Sequence, residues 1–282
     1  MNGPVYHRFA AAAIAVAACR SGGTQVAAST TPAPAAELAI PHSWLVAGET
    51  ITWSVTFAGV QAARARMAIG QSDAGDKKQI VVRAEAQSAG LVSLLADSQE
   101  SVTSWIDPAS GVPTQTEFHS VDAGRTQRVS IAWSPGKAEQ VIARTKTGEA
   151  PGQPQTRTHL LPASPVYDNL SGLAALRAWD AHAGARATMW AFAGSRLWRT
   201  VIEAGAEEDI DTAVGKVRSR KLTAASVRMT SNLKEDTSKP PRTWTMWIST
   251  DERRIPVRID AHLDFGDVVV KCTSYAASES QD

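Results

Sequence analysis

Cysteine is nearly absent: the 282 residues contain only Cys19 and Cys272. The first sits at the end of an apolar leader, so the remainder keeps one thiol and cannot rely on a disulfide frame. Net charge is also missing, with 29 Lys and Arg against 28 Asp and Glu. A nucleic-acid binder displaces phosphate counterions with a clustered basic excess, and a chain this balanced is excluded from that class. The apolar run at 9–18 is half the roughly 20 residues that a membrane-spanning helix needs. Signals for chemistry are missing as well. There is no Gly-x-Ser-x-Gly elbow to raise a nucleophile and no Gly-rich phosphate loop. His42, His119, His159, His182 and His262 are scattered, with no His-x-x-x-His pair, so no metal site is expected. Glu207, Glu208, Asp209 and Asp211 lack the Asp-x-Asp-x-Asp-Gly spacing of a calcium loop and read as a solvated turn. The expectation is a non-enzymatic protein without cofactor, metal or catalytic residue.

What is present is apolar. With 43% hydrophobic and 20% charged residues, the chain can bury a core. Nine Trp stand beside three Tyr and five Phe, an imbalance that fits thick packing layers or an apolar ligand surface. His7 and Arg8 precede the apolar run, which ends in Val16-Ala17-Ala18-Cys19. This is the layout of a secretory signal, and its end resembles the bacterial lipobox, in which the cysteine thiol is diacylated. Residues 1–18 are then a signal peptide, and 19–41 are a lipidated Cys19 with a flexible tether rich in Ala, Pro, Ser and Thr. Residues 42–282 form one antiparallel β domain. Arg20 rather than Asp after the cysteine implies, by resemblance to lipoprotein sorting, an outer-membrane anchor with the body facing the periplasm. Cleavage removes Arg8 and no acid, leaving a neutral chain that needs no electrostatic help to hold the membrane.

The body reads in period two. Ile51, Trp53, Val55 and Phe57 alternate with Thr50, Thr52, Ser54 and Thr56, as a half-buried strand requires. Further strands are expected at 79–87, 100–106, 128–133, 140–145, 187–192, 197–202, 216–224, 242–249, 255–262 and 267–275, divided by turn sequences such as Asp122-Ala123-Gly124. Only 168–181 reads as helix: Leu170, Leu173, Leu176 and Trp179 share a face, and Asp168 or Asn169 can cap it. The fold class is all-β, an antiparallel β-barrel or curled β-sandwich with one mid-chain helix. Residues 90–96 are short and apolar. Leu91, Val92, Leu94 and Leu95 either plug an end of the sheet or form a loop for membrane or partner. Cys272, alternating with Val268 and Val270, is expected in the core.

Three blocks resemble one family: Gly48-Glu49-Thr50-Ile51-Thr52-Trp53 with the strand through Val60, the helix from Asp168 to Arg177, and Trp247 to Arg258, reading Trp-Ile-Ser-Thr-Asp-Glu-Arg-Arg-Ile-Pro-Val-Arg. Together they are similar to the DUF3108 family of exported bacterial envelope proteins. The resemblance implies an antiparallel barrel or curled sandwich shaped like the periplasmic carriers that hold acyl chains between a sheet and its helices. It implies no catalytic residue. The expected activity is binding of a lipid or other apolar envelope molecule, with Trp53, Trp105, Trp133, Trp190, Trp198, Trp244 and Trp247 as candidate ligand or packing surface. Because Trp244 and Trp247 differ by an odd number, they point to opposite faces of one strand. The alternatives are an assembly lipoprotein that docks another envelope protein and, last, a hydrolase using Ser249, Asp251 and a distant histidine.

Overall fold

The computed structural model describes residues 35–38, 45–74, 77–90, 93, 97–263 and 266–277. The signal, Cys19, most of the tether and the candidate loop residues Leu91, Val92, Leu94 and Leu95 lie outside them. The first half of the chain supplies β1 (Ala36–Glu37), β2 (Thr50–Phe57), β3 (Val60–Ala74), β4 (Lys77–Ser88), β5 (Ser98–Ile106), β6 (Pro113–Asp122), β7 (Arg125–Ser134), β8 (Lys137–Lys146) and β9 (Gln155–Leu160). After β10 (Val166–Tyr167) and the helix α1 (Asn169–Ala178) follow β11 (Arg186–Ala193), β12 (Arg196–Thr212), β13 (Gly215–Arg228), β14 (Arg242–Ser249), β15 (Pro256–Leu263) and β16 (Gly266–Ala276).

All of these strands belong to one sheet. The order from one edge to the other is β1, β11 to β16, then β2 to β9, while β10 joins β1 as a second short parallel partner of β11. Every other pairing is antiparallel, and the two halves join where β16 lies beside β2, Val270 opposite Val55. Tight turns set the registers. The strand expected to run through Val60 instead ends at Phe57 and turns at Ala58 and Gly59, which, like Ala123 and Gly124, have positive φ at both central positions, the form that matches the twist of a two-residue hairpin.

Instead of closing strand to strand, the sheet overlaps itself. Met189 and Ala191 of β11 face the main core, whereas Trp190 and Phe192 on the opposite face pack with Val129, Ile131, Ala138 and Ile142 of β7 and β8. Trp133 meets Phe192 edge to face at 5.8 Å, and the buried Gln140 of β8 donates to the Gly194 carbonyl at 2.6 Å. The far strands thus roll over the outside of β11 like a scroll. A strand covered on both faces loses its polar alternation, which the run Met189-Trp190-Ala191-Phe192-Ala193 shows.

The helix fills the scroll. Asp168 caps it, its Oδ1 accepting from the Leu170 and Ser171 amides, and Ser171 Oγ accepts in turn from the Asp168 amide. The helix stops at Ala178, short of the expected 181, because Trp179 turns extended at ψ 112°. Leu170 and Leu176 lie on the expected stripe, but Gly172, Ala174, Ala175 and Ala178 are buried too, so α1 is enclosed by the sheet. Small residues on its other sides permit this approach, and burying Leu170 and Leu176 contributes about 1.5–3 kcal/mol each.

Five strands go beyond the sequence expectation: the two-residue β1, which lies in the expected tether, and β10, together with β3, β6 and β9. In β3 two of the four inward residues Ala63, Ala65, Met67 and Ile69 are alanines, β6 carries few apolar residues, and β9 is a largely exposed edge, so none of these three has the sustained β-branched alternation that marks a strand. The acidic run at 207–211, expected as a turn, lies within β12 after a register shift between Ala204 and Glu207. Here β12 pairs only with β13, and cross-strand charge takes the place of burial: Glu207 with Arg220 at 2.6 Å, Asp209 with Arg218 at 3.5 Å.

Candidate functional site

Between α1 and the concave face lies a cavity of about 90 Å³. Its wall draws on eight strands and on the helix, with Trp53 from β2, Met67 from β3, Met189 from β11, and Trp244 and Met246 from β14 among its largest side chains. Ala65, Ala84, Ala191 and Gly172 supply the room. Side chains this short leave the helix and the facing strands out of full contact, and unbranched methionines adapt their shape to whatever enters. By the volume that one water needs, the space holds about six to nine water-sized groups.

The indoles and hydroxyls near the cavity are bonded within the protein. Trp53 Nε1 donates to the Pro256 carbonyl at 2.8 Å, which fixes the indole. Trp244 Nε1 donates to Ser226 Oγ at 3.4 Å, and that hydroxyl is bonded to Thr200 Oγ1 at 2.9 Å. At the cap of α1, Thr116 Oγ1 donates to Asp168 Oδ2 at 2.5 Å while accepting from Trp133 Nε1 at 2.9 Å. With these atoms occupied, the lining offers an apolar guest dispersion contacts and little polar competition.

Two of the seven candidate tryptophans, Trp53 and Trp244, are in this wall. The other five are not. Trp105 alternates with the buried Ser104 and Ile106 and faces away, while Trp133 and Trp190 pack in the seam of the scroll. Trp198 is buried beneath the guanidinium of Arg242, 4.2 Å from its ring centre. Trp247 points opposite to Trp244, bonds Glu208 through Nε1 at 2.5 Å, and is covered by Arg258 and Lys221. Long cationic side chains thus shield an outward indole from water. The methionines and alanines of the wall carry no sequence signal for a site.

A second, polar cleft of about 120 Å³ lies at the C-terminal end of α1. Leu176 belongs to both walls, so one side chain stands between the apolar cavity and the charged cleft. Below it, Arg177 is 1% exposed and forms two 2.7 Å bonds to the Glu49 carboxylate, donating also to the carbonyls of Arg253 and Arg254. Tyr275 sits beside Glu49. Burial and then that carboxylate push its phenol above the ordinary tyrosine range. Arg254 donates to the Trp179 carbonyl and lies 4.0 Å from Asp180. Burial lowers its guanidinium, Asp180 opposes this, and repulsion from Arg177 and Arg220 adds to it.

Among the described residues, no histidine is bonded to Ser249 or Asp251. Ser249 Oγ donates to Asp251 Oδ1 at 2.7 Å and accepts from the Ile255 amide at 2.7 Å, which locks the 249–255 turn. Against the burial that would raise it, the Ser249 hydroxyl and Arg253 hold the Asp251 carboxyl below its usual value. The histidines with side-chain bonds lie elsewhere, His159 on Gln140 and His262 on Asp267. No group of three metal-ligating side chains occurs among the described residues.

Comparison with known proteins adds fold and family. A family model described as protein of unknown function (DUF3108) matches residues 52–273, and no curated protein matches. Among solved structures, a β-barrel-like protein of the DUF1849 domain from Brucella abortus is similar with TM-score 0.53 and 12% identity, over 83% of this chain and 99% of that one. A candidate exported protein with a YmcC-like fold from Bacteroides fragilis gives 0.35 at 9% identity, over 84% and 99%. A candidate lipoprotein from Parabacteroides distasonis gives 0.31 at 7%, over 83% and 99%. The first likeness shows a barrel-like fold, in keeping with the curled sheet.

Proposed function

The chain belongs to the DUF3108 family of proteins of unknown function, and from that premise we propose that it is a carrier or sensor of apolar envelope molecules, exported and held at the outer membrane by acyl chains on Cys19. One observation carries the binding part: the cavity between α1 and the concave sheet, lined by three methionines and two tryptophans whose polar neighbours are already bonded. A sheet built only for stability would fill that space, because a void forfeits the contacts of its lining. The anchor and location rest on the signal-like residues 1–18 and the lipobox-like end at Cys19.

The test exchanges residues 1–19 for a cleavable export signal without a lipobox, so that acyl chains of the anchor are not mistaken for cargo. The protein is purified from the periplasm and measured by native mass spectrometry, with organic extraction after unfolding. An apolar mass released in stoichiometric amount supports the reading. A clean protein mass in repeated preparations, together with no uptake of added apolar compounds, overturns it.

A further inference from the structure

The wall of the apolar cavity has few polar groups, and those few restrict the head that a ligand can carry. Among the described residues no Lys, Arg or His lines it, and Asp168 is the one charged side chain there. Asp168 is 3% exposed. Its Oδ1 accepts from the Leu170 amide, the Ser171 amide and Ser171 Oγ, and its Oδ2 accepts from Thr116 Oγ1. Every one of these donors is neutral. An anionic head beside this carboxylate would be repelled and would find no cation in the wall to offset its desolvation. The positive end of the α1 dipole would by itself favour an anion, but Asp168 already fills that place and takes the amides. A cationic head fares little better, because both oxygens of Asp168 are bonded and an ammonium would leave water for an apolar wall. Asn169 differs from the rest. It begins α1, lines the same cavity, is partly exposed, and its carboxamide has no hydrogen-bond partner among the described residues. Thr200, the other polar side chain of the wall apart from the indoles, is bonded to Ser226. Asn169 is thus the wall side chain that offers both an open donor and an open acceptor.

Building on the apolar-ligand reading, we propose that the ligand is an uncharged single-chain molecule whose hydroxyl, ester or amide head bonds the Asn169 carboxamide, while the Asp168 carboxylate excludes fatty acids and other anionic chains. The cavity has room for about six to nine chain carbons, enough for one chain and too little for two. A carboxamide pairs with a hydroxyl in either direction and donates to the carbonyl of an ester or amide. The methionines select for the chain, and the pair Asp168 and Asn169 at the start of α1 selects against charge on its head.

The test uses the same periplasmic protein with ¹³C-methyl methionine, titrated with decanol, with decanoate and with decylammonium. Met67, Met189 and Met246 line the cavity and report the chain, whereas Met229 packs in the seam of the scroll and serves as the control. Decanol is expected to shift the three cavity methyls, to leave Met229 in place, and to bind about tenfold or more tighter than either charged chain. Asp168→Asn, which can still cap the helix, should raise decanoate affinity about tenfold. Asn169→Ala should weaken decanol about fivefold, the loss of one neutral hydrogen bond. Decanoate or decylammonium binding as tightly as decanol in the unaltered protein overturns the uncharged head while the apolar-ligand reading stands, and that comparison needs no variant to fold. Undiminished decanol affinity in folded Asn169→Ala overturns the seat of the head. Failure of all three chains to shift the cavity methyls overturns the apolar-ligand reading itself.

Discussion

Arg177 and Glu49, 128 positions apart in the chain, form a two-bond ion pair in which both side chains are 1% exposed or less. The pair gathers three distant segments. Arg177 closes α1, Glu49 precedes β2, and the remaining donors of Arg177 hold the Arg253 and Arg254 carbonyls in the turn before β15. These are the three blocks by which the sequence resembles its family, and in space they are one cluster that fixes the C-terminal end of the helix over the sheet.

Removing one partner should be severe. Glu49→Leu leaves a buried guanidinium without its counter-ion, and a loss of about 3–5 kcal/mol is expected in urea unfolding followed by tryptophan fluorescence. The double variant Glu49→Leu with Arg177→Met should be more stable than Glu49→Leu, since no lone charge remains. It should stay below the original, because two buried carbonyls lose their donors. Strict additivity of the two single changes would show that the pair is not coupled.

Glu100 supplies a pH dependence. It lies on β5, diagonal to Asp122 on β6, and burial, then the nearby Asp122 charge, push its carboxyl up to about 8. The folded state therefore holds a proton that the unfolded chain releases near 4.5. Stability from this group is full below about pH 4.5 and is lost as pH rises toward 8. Glu100→Gln should flatten that decline by a few kcal/mol and make the protein more stable than the original at pH 8. An unchanged slope between pH 5 and 8 would reject the assignment.

Much of the fold is legible in the sequence because it rests on local rules. The alternation around Trp53, the cap at Asp168 and the turn at Ala123-Gly124 are each decided by a few neighbouring residues. What depends on distant partners is not. The roll of β7 and β8 over β11 turns Trp190 and Phe192 into core residues from the outside, and no local pattern says which strand will lie there. The candidate site divides the same way. The tryptophan excess points to an apolar surface, but the cavity owes its room to Ala65, Ala84, Ala191 and Gly172, residues that carry no signal until the helix is placed against them.

Cys272 tests the burial of β16. It is fully buried, and burial pushes its thiol up to about 11, which leaves almost no thiolate to react at neutral pH. In protein lacking Cys19, a maleimide at pH 7.5 should label it only at the rate of unfolding, with denaturant speeding the reaction by orders of magnitude. Rapid labelling of the native protein would mean that β16 opens locally.

Gly172 and Ala191 both line the cavity and separate stability from binding. A Cβ built on Gly172 would lie 3.6 Å from Tyr167 Cβ and 3.7 Å from Met189 Sδ, ordinary contact distances, so Gly172→Ala costs no clash. It also removes the entropy penalty of glycine inside a helix, and a gain of about 0.5–1 kcal/mol is expected. Ala191→Leu instead adds three carbons to a space of about 90 Å³, replacing the volume that a ligand chain would take. If the cavity is a binding site, Ala191→Leu should keep the fold and lower chain uptake about tenfold, as read by decanol titration, whereas Gly172→Ala should raise the melting temperature and bind nearly as before. Should Ala191→Leu destabilise the fold by the 1–3 kcal/mol typical of overpacking and leave decanol uptake intact, the chain would have to bind elsewhere, and the space beside α1 would be an imperfection of packing.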